Sequence, residues 1–130
     1  MKLIKTFLVN PIGKPRMTRA DTWKKRPAVQ RYWAYKDILA RQRKGFVIPE
    51  SDFQIIFYLL MPKSWNHKKK AEMLDMPCKN KPDIDNVLKG FFDCLCREDK
   101  QIWDVRATKI WAEKGKIEVY VEEICKQKQF

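Results

Sequence analysis

The spacing of apolar residues between positions 84 and 95 constrains this chain more than any other feature. Ile84, Val87, Leu88, Phe91, Phe92 and Leu95 fall at i, i+3, i+4, i+7, i+8 and i+11, the repeat that lays one continuous stripe along a helix. A stripe of that size must be covered by a second layer. Upstream, Phe53–Leu60 reads FQIIFYLL, an almost unbroken apolar run of strand length, rich in β-branched and aromatic side chains. It predicts a central strand buried on both faces.

The remaining elements are shorter. Residues 2–9 alternate with Leu3, Phe7 and Val9 on one side and predict a strand. Over residues 28–44, Val29, Tyr32, Trp33 and Leu39 suit one helix face, with Gly45 placed to end it. Ser64 is the expected cap of a short helix running through Lys68, Lys69 and Lys70 until Pro77 breaks it. Past Asp99, residues 102–113 and 116–124 predict a hairpin turning at Lys114 and Gly115, with Ile117, Val119 and Val121 alternating against Glu118, Tyr120 and Glu122. Residues 126–130 are expected to fray. The pattern is that of one α+β domain over residues 1–130, a mixed sheet packed by helices.

Charge narrows the function. A formal net charge of +12 on 130 residues makes a folded chain repel itself unless a polyanion is its partner, and nucleic acid is the natural one. Hydrophobic content of 45% and charged content of 34% exclude a disordered chain. No run of about 18 apolar residues crosses a membrane, no clean basic amphipathic face addresses one, and no signal-peptide pattern opens the chain. The protein is expected in the cytosol, where Cys78, Cys94, Cys96 and Cys125 stay reduced. Cys94 and Cys96, two apart in a helical pattern, point to opposite sides, which argues against zinc.

The basic residues fall in two groups. Lys14, Arg16, Arg19, Lys24, Lys25 and Arg26 lie in a loop over residues 10–27 that carries Pro11, Gly13, Pro15 and Pro27. Lys68, Lys69, Lys70, Lys79 and Lys81 lead into the stretch Pro82-Asp83-Ile84-Asp85-Asn86-Val87-Leu88-Lys89. Both groups are candidate phosphate contacts.

That stretch carries the chemistry. If residues 83–85 are extended, Asp83 and Asp85 point to one side and can meet one cation, with Lys89 a turn further along the helix reaching the same space. Carboxylate oxygens suit Mg²⁺, and a lysine can neutralise charge developing on a phosphate. The alternative is structural: an Asp caps the helix and Lys89 pairs with Asp85 at i+4. Glu98 and Asp99, after the helix, are candidates for a third acid; Asp93 lies about 12 Å along the axis from Asp85. His67, the only histidine, sits in a lysine-rich stretch and reads as a surface residue. Trp23, inside the basic loop, is the one tryptophan placed to stack on an unpaired base, whereas the others suit core or interface positions.

Taken together, Met61-Pro62-Lys63-Ser64-Trp65, the lysines at 68–70, KPDIDNVLK at 81–89, Phe92-Asp93 and Asp99-Lys100-Gln101-Ile102 resemble the RusA family of phage and bacterial Holliday-junction resolvases. The resemblance spans most of the chain, and the DxDNxxxK portion with its downstream acid is the most specific part. It implies a RusA-like fold and a homodimeric endodeoxyribonuclease that makes paired symmetric nicks across a four-way DNA junction, in recombination and repair. It implies Mg²⁺, with Mn²⁺ as the substitute ion, held by Asp83, Asp85 and Asp99, and Lys89 as the catalytic lysine. The connection from Asp93 to Asp99 is shorter than the family's usual one, which often holds an Asn-Gly turn and a pair of aspartates. Two other functions fit the charge: a nucleic-acid-binding module without cleavage, and a related nuclease acting on flaps or forks.

Overall fold

The computed structural model describes residues 1–16, 26–96 and 99–122, with Asp99 described through its backbone alone. In chain order these form β1 (Lys2–Phe7), α1 (Pro27–Arg43), β2 (Phe53–Leu60), α2 (His67–Met73), α3 (Ile84–Leu95), a 3-10 turn (Asp99–Gln101), β3 (Val105–Ala112) and β4 (Lys116–Val121). One mixed sheet has the order β1-β4-β2-β3. Within it β2 runs antiparallel to β4 and parallel to β3. The α+β fold and the central place of β2 are as the sequence predicts.

The terminal hairpin is not formed. β3 and β4 flank β2 and share no ladder, so the link over residues 113–115 passes beyond the end of β2. The reason lies in β2, which has no charged side chain. Were β3 and β4 closed on each other, β2 would be an apolar edge with unpaired backbone groups; inserted between them, it is paired on both sides.

The core lies on one face of the sheet. Phe7, Phe53, Ile55, Phe57, Leu59, Ile117 and Val119 meet Tyr32, Tyr35 and Leu39 of α1 and Val87, Phe91, Phe92 and Leu95 of α3 in one cluster. Phe91 is at its centre, edge-on to Phe7 at 5.6 Å and to Phe57 at 5.8 Å, the arrangement aromatic quadrupoles favour. Only that face of β2 is fully buried. Gln54, Ile56 and Tyr58 on the other face are half-buried, because both long helices pack on the first.

Several local expectations shift. β1 ends at Phe7, before Val9, and an irregularity between Leu3 and Lys5 leaves Leu3 44% exposed. In α1, Tyr35 is buried and Trp33 is 45% exposed, a rotation of the buried stripe that the packing against α3 selects. Lys44 and Gly45 both take positive φ, so the helix ends where expected. α2 is capped by Asn66 and not Ser64, since the Asn66 side chain accepts the Lys69 N–H at 2.9 Å. The stripe of α3 is buried apart from Ile84 and Leu88, and Gly90 joins it. No described helix is long and apolar enough to cross a membrane, and Cys78, Cys94 and Cys96 are in no disulfide. Cys125 and residues 126–130 lie outside the described residues.

Candidate active site

The helix that buries Phe91 presents its opposite face, and its first turn, to solvent. Asp83 is the N-cap residue with extended backbone (φ −61°, ψ 149°), and Asp85 stands in the first turn. The extended Asp83–Asp85 pair expected from sequence is therefore not formed: helix begins at Ile84, and the Val87 N–H donates to the Asp83 carbonyl at 3.0 Å. Both carboxylates are exposed at the positive end of the helix dipole.

Neither takes the structural role that was open to it. An N-cap aspartate normally turns its carboxylate onto the N–H groups of the first turn, but Asp83 makes no such bond. Among the described residues, the side chains of Asp83, Asp85 and Lys89 have no hydrogen-bond or ion-pair partner. Asp85 and Lys89 do not pair at i+4.

The helix mouth is held from two sides. Lys109 of β3 donates from Nζ to the carbonyls of Asn80 at 2.7 Å and Pro82 at 2.6 Å, on either side of the cis Lys81–Pro82 peptide. From the other side, the segment after β1 presses against α3. A Cβ at Gly13 would stand 2.5 Å from Asn86 Nδ2 and 2.9 Å from Pro82 Cβ, and one at Gly90 would stand 3.1 Å from the Lys14 nitrogen. Lys14 Nζ then closes on Asp93 Oδ2 at 2.5 Å.

The phenol of Tyr32 donates to the Gly90 carbonyl at 3.1 Å. Burial, with the Cys94 thiol as hydrogen-bond partner, raises the Tyr32 phenol and keeps it a donor, and burial likewise raises the Cys94 thiol.

The basic residues differ in how they are placed. Lys79 and Lys81 are exposed in the segment that leads into α3, Lys68 and Lys69 are exposed on α2, and Lys70 is half-buried. Lys69 covers the Trp65 ring at 4.6 Å, and Trp65 meets Trp111 at 4.9 Å. In the loop, Arg16 and Arg26 are exposed and joined by a bond from Arg26 Nη2 to the Arg16 carbonyl at 2.7 Å. Lys14 differs from expectation in being engaged by Asp93. Arg19, Lys24, Lys25 and Trp23 lie outside the described residues. A groove of about 1020 Å³ runs beside the mouth, lined by Lys14, Arg31, Lys81, Asn86 and Trp111 among others.

Among the described residues no three His, Cys, Asp or Glu side chains stand together as a metal cluster. Glu98 and the side chain of Asp99, the expected third ligand, lie outside them. The two carboxylates that are described are unpartnered hard-oxygen donors, which fits Mg²⁺ or Mn²⁺. Glu118 is a buried acid, but Tyr120 donates to it at 2.9 Å, Lys116 approaches to 3.6 Å, and it lies on the sheet face away from the helices. His67 is exposed at the start of α2, and Trp103, at 73% exposure, is a surface residue.

Sequence reading missed Lys109. The signal for Lys109 is a lone cation in the alternation Val105, Ala107, Lys109, Trp111. It becomes legible only once the register shows that set to face the core.

Free carboxylates at a helix mouth, set among exposed lysines on an α+β domain, fit the class of small phosphodiesterases that act on nucleic acid. The comparisons agree in kind. The family model described as endodeoxyribonuclease RusA matches residues 9–122, and the chain belongs to that family. Nuclease is accordingly its class of enzyme, with DNA as the polymer cut. The uncharacterized protein YqaN of Bacillus subtilis (strain 168) is 31% identical over 126 residues, covering 86% of this chain and 88% of that protein.

Proposed function

We propose that this protein is a Mg²⁺-dependent, structure-specific endonuclease that resolves four-way DNA junctions by paired symmetric nicks. The observation that carries the reading is the pair of exposed, unpartnered carboxylates, Asp83 at the N-cap and Asp85 in the first turn of α3, in a chain with net charge +12. Acids facing DNA repel its phosphates unless a cation bridges them. A DNA-binding module without cleavage has no use for that repulsion.

Asp83 and Asp85, with Asp99 as third ligand, would hold Mg²⁺, or Mn²⁺ in its place. Such an ion polarises a phosphoryl oxygen and lowers the pKa of a bound water. Lys89, exposed one turn beyond Asp85 with no partner among the described residues, is the group to neutralise charge that develops on the phosphate. Lys79, Lys81, Lys68, Lys69 and Lys70, with Arg16, Arg19, Lys24, Lys25 and Arg26, would bind the phosphate backbone. The near two-fold symmetry of a junction asks for two active sites on a matching axis, hence a homodimer. The reading makes the protein bacterial or phage-encoded, acting in the cytoplasm on recombination and repair intermediates.

The test is cleavage of synthetic four-way junctions, forks, flaps and linear duplex, each with and without Mg²⁺. Junctions should be nicked symmetrically and only with the ion. Asp83→Asn, Asp85→Asn and Asp99→Asn should each abolish nicking while junction binding persists. Lys89→Ala should lower turnover by on the order of 10²-fold or more. Preferential cutting of flaps or forks would move the substrate to those branches, and a monomer in sedimentation at micromolar concentration would refute the paired-nick arrangement. Removing Lys68 and Lys70 together should flatten the salt dependence by about 0.9 in log K per lost phosphate contact for each tenfold change in salt.

A further inference from the structure

Lys109 is the only charged side chain among the core-facing residues of β3, and its register partner on β2, Phe57, is fully buried. Lys109 itself is half-buried, and an ammonium partly withdrawn from water needs acceptors in its place. It finds two, the carbonyls of Asn80 and Pro82 at 2.7 and 2.6 Å. The main chain of the same strand holds the residues just before them. Asp75 N–H donates to the Trp111 carbonyl, Trp111 N–H to the Met76 carbonyl and Cys78 N–H to the Lys109 carbonyl, each at 3.0 Å.

Residues 75–82 thus hang from the outer edge of β3. A backbone ladder carries them as far as Cys78. Beyond it the chain turns away toward α3, Pro82 offers no N–H to continue a ladder, and the Lys109 side chain takes over. The Pro82 carbonyl belongs to the peptide that enters Asp83, so fixing it fixes the direction in which the N-cap residue starts.

From this we infer that Lys109 is a positioning residue: through the Asn80 and Pro82 carbonyls it sets the entry of Asp83 into the mouth of α3, without touching metal or DNA itself. The inference rests on the proposed reading of Asp83 and Asp85 as the metal-binding pair. A phosphate contact is the competing role for an interior-edge lysine. It is disfavoured here because two of the three ammonium donors are already committed to carbonyls.

The test uses Lys109→Met, which keeps the apolar stem and removes the donors, and Lys109→Arg, which restores donors and charge. Lys109→Gln, keeping an amide donor, carries the test if Lys109→Met does not fold. In metal-free protein, amide hydrogen exchange over residues 79–87 should quicken in Lys109→Met and return toward wild type in Lys109→Arg. Binding of Mn²⁺ alone, read as loss of the free-ion electron-paramagnetic-resonance signal, should weaken by about 10-fold or more, the scale on which groups behind a metal ligand act. Junction affinity in EDTA, and its salt slope, should not change.

Unchanged exchange over residues 79–87 overturns the inference. So does unchanged Mn²⁺ affinity in Lys109→Met where Asp83→Asn weakens it, and so does a salt slope flattened by about 0.9, the mark of a phosphate contact. If Asp83→Asn and Asp85→Asn bind Mn²⁺ as wild type does, the metal reading of the pair fails separately. The exchange result then decides by itself whether Lys109 positions Asp83.

Discussion

Replacing Asp93 by Asn should lower stability and raise DNA affinity at once, opposite signs from one substitution. The change keeps the shape of the side chain and removes the charge that Lys14 Nζ meets at 2.5 Å, with the two side chains 33% and 30% exposed. Solvent still screens a pair that open, so the range for exposed pairs applies, taken at its upper end of about 1 kcal/mol because Gly13 and Gly90 already hold the segment against α3. With an unfolding entropy of about 2.1 cal/mol/K per residue, that lowers Tm by about 4 °C in a chain of 130 residues. The same substitution frees an ammonium beside the helix that carries Asp83 and Asp85. If Lys14 then neutralises a phosphate, the slope of log K against log salt steepens by about 0.9. Thermal melts and fluorescence anisotropy on a labelled junction at several salt concentrations measure both effects, with Lys14→Ala as the control that loses stability without gaining slope. An unchanged Tm, or a junction affinity that falls in Asp93→Asn, would refute the reasoning.

Other expectations follow from single contacts. The Tyr35 hydroxyl is buried without a partner among the described residues, so Tyr35→Phe should stabilise by on the order of 1 kcal/mol in urea denaturation; a loss instead would mean the hydroxyl is bonded. Asn66→Ala should cost about 1 kcal/mol through the lost cap of α2 and Ser64→Ala close to nothing, and equal losses would return the cap to Ser64. Burial raises the phenols of Tyr32 and Tyr58, with Cys94 and Glu118 beside them adding to it. From about pH 10 upward the unfolded chain binds fewer protons at these groups than the folded one, so the stability they contribute is whole below that pH and falls above it. The Tyr32→Phe/Tyr58→Phe variant should show a shallower alkaline fall, and an unaltered fall would locate the effect elsewhere.

Much of this protein was legible in local pattern. The stripe from Ile84 to Leu95 and the run Phe53–Leu60 determine a helix and a central strand because each signals its own burial over a few residues. The charge and the order of acids and lysine in KPDIDNVLK point to the family without any coordinates. The partner of each element was not legible, since that depends on residues far apart in sequence. Nothing in residues 102–124 says that β2 will separate β3 from β4. Only the demand that an uncharged strand be paired on both sides decides it, and it overrides a good local hairpin signal.

The site divides along the same line. Sequence determined that Asp85 and Lys89 lie a turn apart on the polar side of one helix, but not that Asp83 would stand just ahead of it as its N-cap. Tertiary structure decided that the two acids stand free, since no neighbouring backbone or side chain described here claims them, and that Lys14 is taken up by Asp93. It also decided that Lys109, from a strand twenty-odd residues away, anchors the carbonyls before Asp83. A hydrogen bond between distant segments is a property of where packing brings them, and packing is set by the whole core, not by the residues that make the bond.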